Sequence, residues 1–267
     1  KHSKSPQIHK AFAQQTQQQM SYTAQLVGKG KFADDARYFF DRGGKGLNIT
    51  VPFKIDAYHF ADELSERGRR AGAVNTLKLQ ENGQIMGDNT DGVGLVRDIC
   101  KNLGWEVTNK RVLLLGAGGA VRGVLGPLLR LNPSLLLIAN RTVKKAQQLA
   151  ADFSELGDVR GCSFDAINGS QFDIIINGTS ASLIGKLLDL PNHVLTDEGC
   201  CYDMVYSSTP TPFMRWGAEN TAWAVADGVG MLVEQAADAF LIWRGLRPET
   251  ESVIAVIREE LGNDAKS

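Results

Sequence analysis

The sequence predicts an α/β protein of two domains, one of which contains a doubly wound parallel sheet. Its 267 residues are enough for two cores of ordinary size. Strand-like and helical segments alternate along most of the chain, as they do where helices cover both faces of a parallel sheet. A glycine-rich turn also follows the Leu-rich run at 111–115, which is typical of the first strand of such a sheet.

The first part of the chain is predicted to alternate helices and strands. Ser5 is predicted to cap a first helix, with Pro6 at its first position, that ends at about Met20. A hairpin is predicted over 77–86, because the Asn-Gly pair at 82–83 favours a tight turn between two strand-like runs. The other elements predicted here are a strand over 22–27, a helix over 32–42, a strand over 46–50 and a helix that begins at Pro52.

The second part is predicted to wind strands and helices alternately around one sheet. A helix follows Asp91 and runs to about Gly104. The later elements are strands near 111–115, 135–139, 159–164, 172–177 and 200–203, a further candidate strand at 222–226, and helices over 228–245 and 249–261. The expected domains are a first segment at 1–91, a Rossmann domain at 92–227, and C-terminal helices at 228–267 that return to the first domain.

The composition argues against a nucleic-acid partner. The chain has 29 Lys and Arg residues against 30 Asp and Glu residues, for a net charge of −1, and it has no dense basic stripe. We therefore expect small-molecule partners. No apolar run reaches the roughly 20 residues that span a bilayer, and no secretory signal pattern is present, so we expect a cytoplasmic protein.

The cysteines and histidines do not predict a metal site. The cysteines, Cys100, Cys162, Cys200 and Cys201, have neither metal-ligand spacing nor a Cys-x-x-Cys pair. We expect them to be reduced thiols. Only two of the four histidines lie close together in sequence, and no acidic ligand accompanies them. No metal is expected.

The glycine-rich turn at 116–120 is a candidate site for a pyrophosphate. Glycines let the backbone approach the phosphates, and the helix that follows offers unpaired N–H groups and the positive end of its dipole. Such a turn can also serve only to pack a helix on a strand, but its place between a predicted strand and a predicted helix favours dinucleotide binding. The third glycine of the usual fingerprint would fall at Val121, so the helix is expected to sit slightly differently on the strand.

The end of the next strand predicts which dinucleotide is bound. An NAD-preferring fold usually has an acidic residue there for the ribose hydroxyls, whereas this chain has Asn140, Arg141 and Thr142, followed by Lys144 and Lys145. Basic residues at this position favour NADP. The alternative interpretation is that Arg141 is simply a solvated residue at a strand end.

Four short polar motifs lie in or beside predicted turns. They occupy 3–6, 48–54, 72–76 and 87–92. Taken singly, each has a structural interpretation: Ser5 caps a helix, Thr50 ends a strand, Asn75 closes a turn, Asp91 caps a helix and Lys54 is solvated. Together they supply the donors and acceptors that a hydroxyl-rich ligand needs, and Lys54 can move a proton.

These motifs, in this order, resemble those of the shikimate dehydrogenase family over nearly the whole chain. The matches are Ser-x-Ser-Pro at 3–6, Asn-Ile-Thr-x-Pro-x-Lys at 48–54, Gly-Ala-x-Asn-Thr at 72–76, Asn-Thr-Asp-Gly at 89–92, the phosphate loop at 116–120, Asn-Arg-Thr at 140–142, and Gly-x-Gly-Met-Leu-x-x-Gln at 228–235. The family often has Arg where this chain has Lys145, which keeps the charge but loses the planar fork. In the family a strand precedes the first motif, and we expect this chain to lack it.

The resemblance implies reversible NADPH-dependent reduction of 3-dehydroshikimate to shikimate, in aromatic amino-acid (chorismate) biosynthesis, in a cleft between the two domains. It implies Lys54 and Asp91 as the catalytic pair. The residues that it implies for the substrate are Ser3, Ser5, Thr50, Lys54, Asn75, Asp91, Tyr206 and Gln235. Those that it implies for NADP(H) are Gly116, Ala117, Gly118, Gly119, Ala120, Asn140, Arg141, Thr142, Lys145, Met204 and Gly228.

Two other functions remain open at this point. One is a quinate/shikimate dehydrogenase that also accepts NAD, which the basic residues after Asn140 argue against. The other is a non-catalytic NADP-binding sensor, which would have no need of Lys54 and Asp91. Either a monomer or a homodimer fits the sequence.

Overall fold

The structure is a computed structural model that describes residues 3–186 and 188–264. It confirms the predicted α/β class, with two separate sheets of four and six strands. Within the described ranges no helix has both the length and the apolar character needed to cross a bilayer.

The smaller sheet comes from the first part of the chain. Its strands are β1 (Gly46–Asn48), β2 (Glu63–Leu64), β3 (Thr76–Leu79) and β4 (Ile85–Asp88), in the order β1-β3-β4-β2. β3 pairs antiparallel with β1 and β4, whereas β2 runs parallel to β4. The predicted hairpin is therefore β3–β4, and Gly83 in its turn has a φ of 85°, which suits glycine.

The helices of this part are α1 (Ser5–Gln15), α2 (Phe32–Asp41), α3 (Lys54–Phe60) and α4 (Glu66–Ala71). The first helix is shorter than predicted, because Gln17 has a φ of 53° and breaks the right-handed path before Met20. Its N-cap is Lys4, so the prediction that Ser5 is the cap was wrong: Ser5 is the first helical residue and Pro6 follows it.

The strand predicted over 22–27 is absent. Among the described residues this segment pairs with no strand, and the side chain of Leu26 is 97% exposed. A β-rich sequence becomes a strand only where a neighbouring strand accepts its hydrogen bonds. The predicted strand failed because sequence alone does not show whether that neighbour is present.

The larger sheet follows the helix α5 (Asp91–Arg97), which continues as a π-helical turn over Asp98–Asn102. All six of its strands are parallel, in the order β10-β9-β8-β5-β6-β7. The strands are β5 (Arg111–Leu115), β6 (Leu135–Ala139), β7 (Val159–Cys162), β8 (Phe172–Asn177), β9 (Leu195–Asp203) and β10 (Ala224–Ala226). The helices between and after them are α6 (Gly119–Leu129), α7 (Val143–Phe153), α8 (Pro212–Glu219), α9 (Val229–Arg244) and α10 (Glu251–Asp264).

Apolar cores cover both faces of the six-stranded sheet. One contains residues of α6 and α7, and the other contains residues of α8. Successive side chains of a strand point to opposite faces, and β9 shows this clearly: Cys200 lies in the first core and Cys201 in the second. Both faces are therefore closed to solvent.

Helix α5 is held tightly against two other helices. A Cβ at Gly92 would lie 2.6 Å from the carbonyl oxygen of Gly123 on α6, and one at Gly94 would lie 2.8 Å from that of Met231 on α9. Only glycine permits these approaches. Helices α9 and α10 also share an apolar cluster with Phe12 of α1. The C-terminal helices thus lie against the first part of the chain, while the domain limits at 91 and 228 stay a prediction.

Candidate active site

Lys54 and Asp91 form an ion pair between the starts of two helices. Lys54 is the first residue of α3, and Asp91 is the first residue of α5. The Lys54 Nζ lies 2.5 Å from Asp91 Oδ2, and the two side chains are 18% and 8% exposed. A pair that is largely removed from water keeps its geometry and can present the ammonium group to a ligand on the open side.

The side-chain amide of Asn75 holds the other oxygen of Asp91. Asn75 is buried just before β3, and its Nδ2 donates to Asp91 Oδ1 at 2.8 Å. It also lies 3.2 Å from the Oε1 of Gln235 on α9. On the other side, Asn75 Oδ1 accepts the backbone N–H of Thr90 at 2.9 Å. Gln235 and the pair of Lys54 and Asp91 are therefore brought together through one amide.

The other predicted substrate residues lie outside this hydrogen-bonded group. Ser3 is exposed, and its Oγ accepts the Ser5 backbone N–H at 3.3 Å. Thr50 is exposed after β1, and Tyr206 packs against the cluster of α1 and α9. Burial raises the pKa of the Tyr206 hydroxyl, partly offset by the charge of Lys4. Among the described residues no hydrogen bond joins Ser3, Thr50 or Tyr206 to the ion pair, so their substrate roles stay a prediction.

The glycine loop leaves the start of α6 open. Gly116 follows β5 with a φ of 103°, which favours glycine. Gly118 and Gly119 are exposed, and no atom lies within 4 Å of the place where a Cβ of either would stand. The backbone N–H groups of Gly118, Gly119 and Ala120 at this helix start can therefore be reached by a phosphate.

Val121 is tolerated at the third fingerprint position because of a glycine elsewhere. The Val121 side chain is fully buried, and its Cγ2 lies 2.5 Å from where a Cβ of Gly178 would stand. Gly178, directly after β8, thus provides the space that the fingerprint usually obtains from its own third glycine. A single-chain pattern search cannot find this exchange, because the two positions lie on different elements of the fold.

The basic residues after β6 are free to meet an anion. Arg141, Thr142 and Lys145 are exposed, and the Asn140 amide donates to the Thr142 carbonyl oxygen at 3.0 Å. Neither Arg141 nor Lys145 forms an ion pair with any residue in the described ranges. Their charges are therefore not neutralised by any residue that the structure describes.

Met204 and Gly228 approach each other beside the same edge of the sheet. A Cβ at Gly228 would lie 2.4 Å from the Met204 carbonyl oxygen, so only glycine fits there. Met204 in turn donates its backbone N–H to the Asn177 carbonyl oxygen at 2.9 Å. The start of α9 is thus fixed against the ends of β8 and β9.

The buried carboxylate of Asp203 supports these loops and was missed by the sequence reasoning. It accepts hydrogen bonds from Asn177 Nδ2 at 3.0 Å, Ser182 Oγ at 2.6 Å and Thr211 Oγ1 at 2.7 Å. Burial raises its pKa, and the bonds from Ser182 and Thr211 partly oppose that rise. The available signal was a charged residue directly after the apolar run at 200–202. In the described part of the chain, no three metal-ligating side chains form a group that could hold a metal ion.

A glycine loop at the edge of a parallel sheet, together with a Lys–Asp pair in a polar site, defines a dinucleotide-dependent oxidoreductase. Family models for the shikimate dehydrogenase substrate-binding domain, shikimate/quinate 5-dehydrogenase and the shikimate 5′-dehydrogenase C-terminal domain match residues 1–77, 98–185 and 228–258. The chain is also 55% identical over 260 residues to the shikimate dehydrogenase (NADP(+)) of Cellvibrio japonicus, covering 97% of this chain and 94% of the relative. The chain belongs to the shikimate dehydrogenase family, which confirms the resemblance of its motifs.

Further relatives agree in sequence and in structure. The shikimate dehydrogenase (NADP(+)) of Methylococcus capsulatus is 54% identical over 259 residues, 97% of this chain and 93% of the relative. An Ael1 enzyme from Pseudomonas putida superposes with a TM-score of 0.89 at 46% identity, over 96% of this chain and 93% of the other. The shikimate 5-dehydrogenase of Thermus thermophilus, solved with NADP(H) and shikimate, gives a TM-score of 0.85 at 29% identity, over 97% and 95% of the two chains.

Proposed function

We propose that this protein catalyses the reversible NADPH-dependent reduction of 3-dehydroshikimate to shikimate, a step of aromatic amino-acid biosynthesis, in the cleft between its two sheets. The observation that carries the proposal is the pair of Lys54 and Asp91, 2.5 Å apart and bridged to Gln235 through Asn75. A non-catalytic sensor of NADP would have no use for this arrangement. The relatives of more than 50% identity, named shikimate dehydrogenase (NADP(+)), support the same reaction.

In the proposed reaction Lys54 transfers the proton. NADPH, when bound, supplies the hydride that reduces the ring ketone. The Lys54 ammonium donates a proton to the alkoxide oxygen that develops at that carbon, and in the reverse direction the neutral amine takes the proton from the hydroxyl. Asp91 orients the Lys54 ammonium through one oxygen, and Asn75 fixes the other oxygen, so the carboxylate cannot turn away.

The cofactor is assigned to the loops at the carboxyl ends of the strands of the larger sheet. The backbone of 116–120 would hold the pyrophosphate, because the N–H groups at the start of α6 are accessible there. Arg141, Thr142 and Lys145, with Asn140 shaping the turn, would hold the 2′-phosphate. Met204 and Gly228 would border the nicotinamide. The uncompensated charges of Arg141 and Lys145 favour NADP over NAD, and this argues against the NAD-accepting quinate enzyme.

The substrate is assigned to hydroxyls and amides on the side of the smaller sheet. The carboxylate and ring hydroxyls of the substrate would be held by Ser3, Ser5, Thr50, Asn75, Tyr206 and Gln235, each hydrogen bond contributing about 0.5–3 kcal/mol. We further propose the division into domains at 91 and 228, a cytoplasmic location in keeping with four free cysteines, and a monomer or homodimer.

Initial rates measured with shikimate and with quinate, each against NADP and NAD, test this function. We expect kcat/KM to be highest for shikimate with NADP. A higher value for quinate, or equal values for NAD and NADP, would replace the proposal by the broader quinate/shikimate enzyme. Absence of oxidation in all four combinations, with NADP still bound, would favour the sensor.

A further inference from the structure

His9 is a buried polar side chain that the proposed mechanism leaves unused. It lies in α1 with no exposed surface, stacked on Tyr22 with ring centroids 4.2 Å apart and close to Trp243 at 5.2 Å. Its Nε2 lies 3.0 Å from Asn48 Oδ1. Its Nδ1 is buried and has no hydrogen-bond partner among the described residues. Packing alone would be met by an aromatic hydrocarbon, so the hydrogen bond to Asn48 is the feature that requires histidine.

The orientation of the Asn48 amide is fixed by groups that can play only one role. Its Nδ2 lies 3.4 Å from the Asn75 carbonyl oxygen, which can only accept, and 3.2 Å from Thr76 Oγ1. The NH2 group must therefore face Asn75, and the amide oxygen must face His9 and Tyr22. His9 Nε2 carries the proton and donates it to Asn48, as does the Tyr22 hydroxyl at 3.0 Å.

The chain of donors continues from Asn48 to the catalytic pair. Thr76 Oγ1 accepts from Asn48 and donates to Asn75 Oδ1 at 3.0 Å. The Asn75 oxygen also accepts the backbone N–H of Thr90, which can only donate, so Asn75 must present its NH2 group to Asp91 Oδ1. A single direction of donation therefore runs from His9 through Asn48, Thr76 and Asn75 to the carboxylate that binds Lys54.

We propose that His9 is a positioning residue for the reaction: through Asn48 and Thr76 it fixes the Asn75 amide that holds Asp91 beside Lys54. This rests on the proposed function, because the group positioned is the proposed catalytic pair. His9 itself is not assigned to contact substrate or cofactor. Its effect is to remove the freedom of three polar side chains, all of them in the smaller sheet or directly before it.

Two further observations agree with a neutral His9 that acts only as a donor. Burial lowers the pKa of His9 to about 4, opposed by the hydrogen bond with Asn48. Protonation would place a second N–H at the partnerless Nδ1. Tyr22, the other donor to Asn48, also hydrogen-bonds Ser5, and its pKa is raised by burial to about 12. The hydrogen bonds that run from His9 through Asn48, Thr76 and Asn75 to Asp91 are called the relay below. The Asn48 amide oxygen thus connects the relay, through Tyr22, with a predicted substrate residue.

Two matched pairs of variants test the relay at different points. His9→Phe keeps the ring and removes the donor, whereas His9→Gln restores an N–H close to the position of Nε2. Thr76→Val removes the hydroxyl, whereas Thr76→Ser keeps it. We expect kcat for shikimate oxidation to fall about three- to tenfold in His9→Phe and in Thr76→Val, the loss that one hydrogen bond explains. In His9→Gln and Thr76→Ser kcat should stay within about twofold of wild type, and the KM for NADP should be unchanged in all four variants.

The double variant His9→Phe/Thr76→Val should lose no more than the larger single loss, because both changes interrupt one chain. Multiplicative losses would overturn the relay. So would unchanged kcat in His9→Phe and Thr76→Val, even with a lower Tm, because His9 would then serve packing alone.

A readout without turnover separates this proposal from the proposed function. In 1H–15N spectra of the protein without ligands, the side-chain amide signals of Asn48 and Asn75 should shift in His9→Phe and move much less in His9→Gln. An Asn75 signal that stays in place in His9→Phe would overturn the relay, whatever the wild-type enzyme oxidises. A wild-type enzyme that does not turn over shikimate, with the amide signals shifting as expected, would overturn only the function.

Discussion

Lys54 and Asp91 meet because each begins a helix, α3 in one case and α5 in the other, and both helix starts face one site. Lys54→Ala should lower kcat for shikimate about 10²–10⁴-fold, the usual contribution of a positioned acid or base. NADP affinity should be nearly unchanged, because the glycine loop belongs to the other sheet. Initial rates and calorimetric titration with NADP measure the two effects.

Asp91→Asn should also lower kcat, and the double variant with Lys54→Ala should lose less than the product of the two single losses, because paired groups act as a unit. Lys45→Ala is the control, since Lys45 is an exposed lysine just before β1. Near wild-type turnover in Lys54→Ala would remove Lys54 from the mechanism, and independent losses would argue against a pair.

Arg141 is predicted to distinguish NADP from NAD. A guanidinium can meet two oxygens of the 2′-phosphate, and a charge-assisted contact of this kind contributes about 1.5–3 kcal/mol. Arg141→Ala should therefore weaken NADP binding about ten- to a hundredfold and leave the NAD constants within a few-fold of wild type. Binding titrations with both dinucleotides measure this.

Arg160→Ala serves as the control for Arg141, because Arg160 is an exposed arginine on the next strand that pairs with Asp158. It should change neither dinucleotide affinity. Equal losses of NADP and NAD in Arg141→Ala would show instead that Arg141 contacts the adenine or supports the fold.

The residues of the candidate site could be predicted where they belong to contiguous motifs. Lys54, Asn75 and Asp91 stand in short polar runs, and the structure brings them into one group. Asp203 and the link between His9 and Asn48 were not foreseen. Their roles depend on contacts between distant segments, and a buried aspartate or histidine has no local pattern that distinguishes it from a solvated one.

Among the elements, the start of α9 depends most clearly on a glycine. A Cβ at Gly230 would lie 1.9 Å from Asp98 Oδ1 in the π-helical turn after α5. Asp98 cannot easily move, because it accepts hydrogen bonds from Tyr202 at 2.7 Å and Asn102 at 3.0 Å. Gly230→Ala should therefore reduce the free energy of unfolding by about 1–3 kcal/mol, the usual cost of overpacking. Urea denaturation measures the loss.

Gly262→Ala is the matched control in another helix. No atom lies within 4 Å of a Cβ built at Gly262 in α10, so alanine should be neutral or stabilise the helix by up to about 1 kcal/mol. If both variants lose the same stability, the close approach of Asp98 to Gly230 does not explain the effect.

The elements were predictable where local signals agree with tertiary pairing. Strands β5, β6 and β8 begin and end where they were predicted, because a central parallel strand is buried on both faces and each of the three contains a run of apolar residues. The segment 22–27 has the same β-rich composition but no partner strand in the described ranges. Strand β9 begins at Leu195, five residues before its predicted start, because Thr196 to Glu198 interrupt the apolar pattern with polar, partly exposed side chains.

At the scale of the whole molecule, stability should depend on pH through His9. Its pKa is about 4 in the folded protein and about 6.5 when unfolded. The unfolded state therefore binds more protons than the folded state between these pH values. The contribution of neutral His9 to the unfolding free energy is complete above pH 6.5 and is lost as the pH falls toward 4. Between pH 7 and pH 4.5 the wild type should lose about 2–3 kcal/mol more of its unfolding free energy than His9→Gln, which has no group titrating there.

Urea denaturation of both proteins at the two pH values gives this difference, and all other titrating groups cancel in the comparison. An equal loss in the two proteins would mean that His9 is hydrated or charged in the folded state.

The two-sheet architecture itself was predictable from the alternation of elements. The sequence predicted that the C-terminal helices return to the first domain, but not that α9 contacts α1. The environment of His9 depends on that contact.

The neighbouring thiols of Cys200 and Cys201 offer a natural pair of labelling probes. They are adjacent in sequence, yet Cys201 packs under Gly217 of α8, whereas Cys200 lines a surface cleft with Trp105 and Trp223 on the other face of the sheet, and burial raises the pKa of both thiols. Because only the thiolate reacts and both thiols are buried, modification must wait until the residues that cover each thiol move away. After replacement of Cys100 and Cys162 by serine, the labelling rate of Cys200 therefore reports opening around Trp105 and Trp223, and that of Cys201 reports opening of α8. Equal rates would mean that the two faces of the sheet open in a single event, and unequal rates would rank them by their separate opening equilibria.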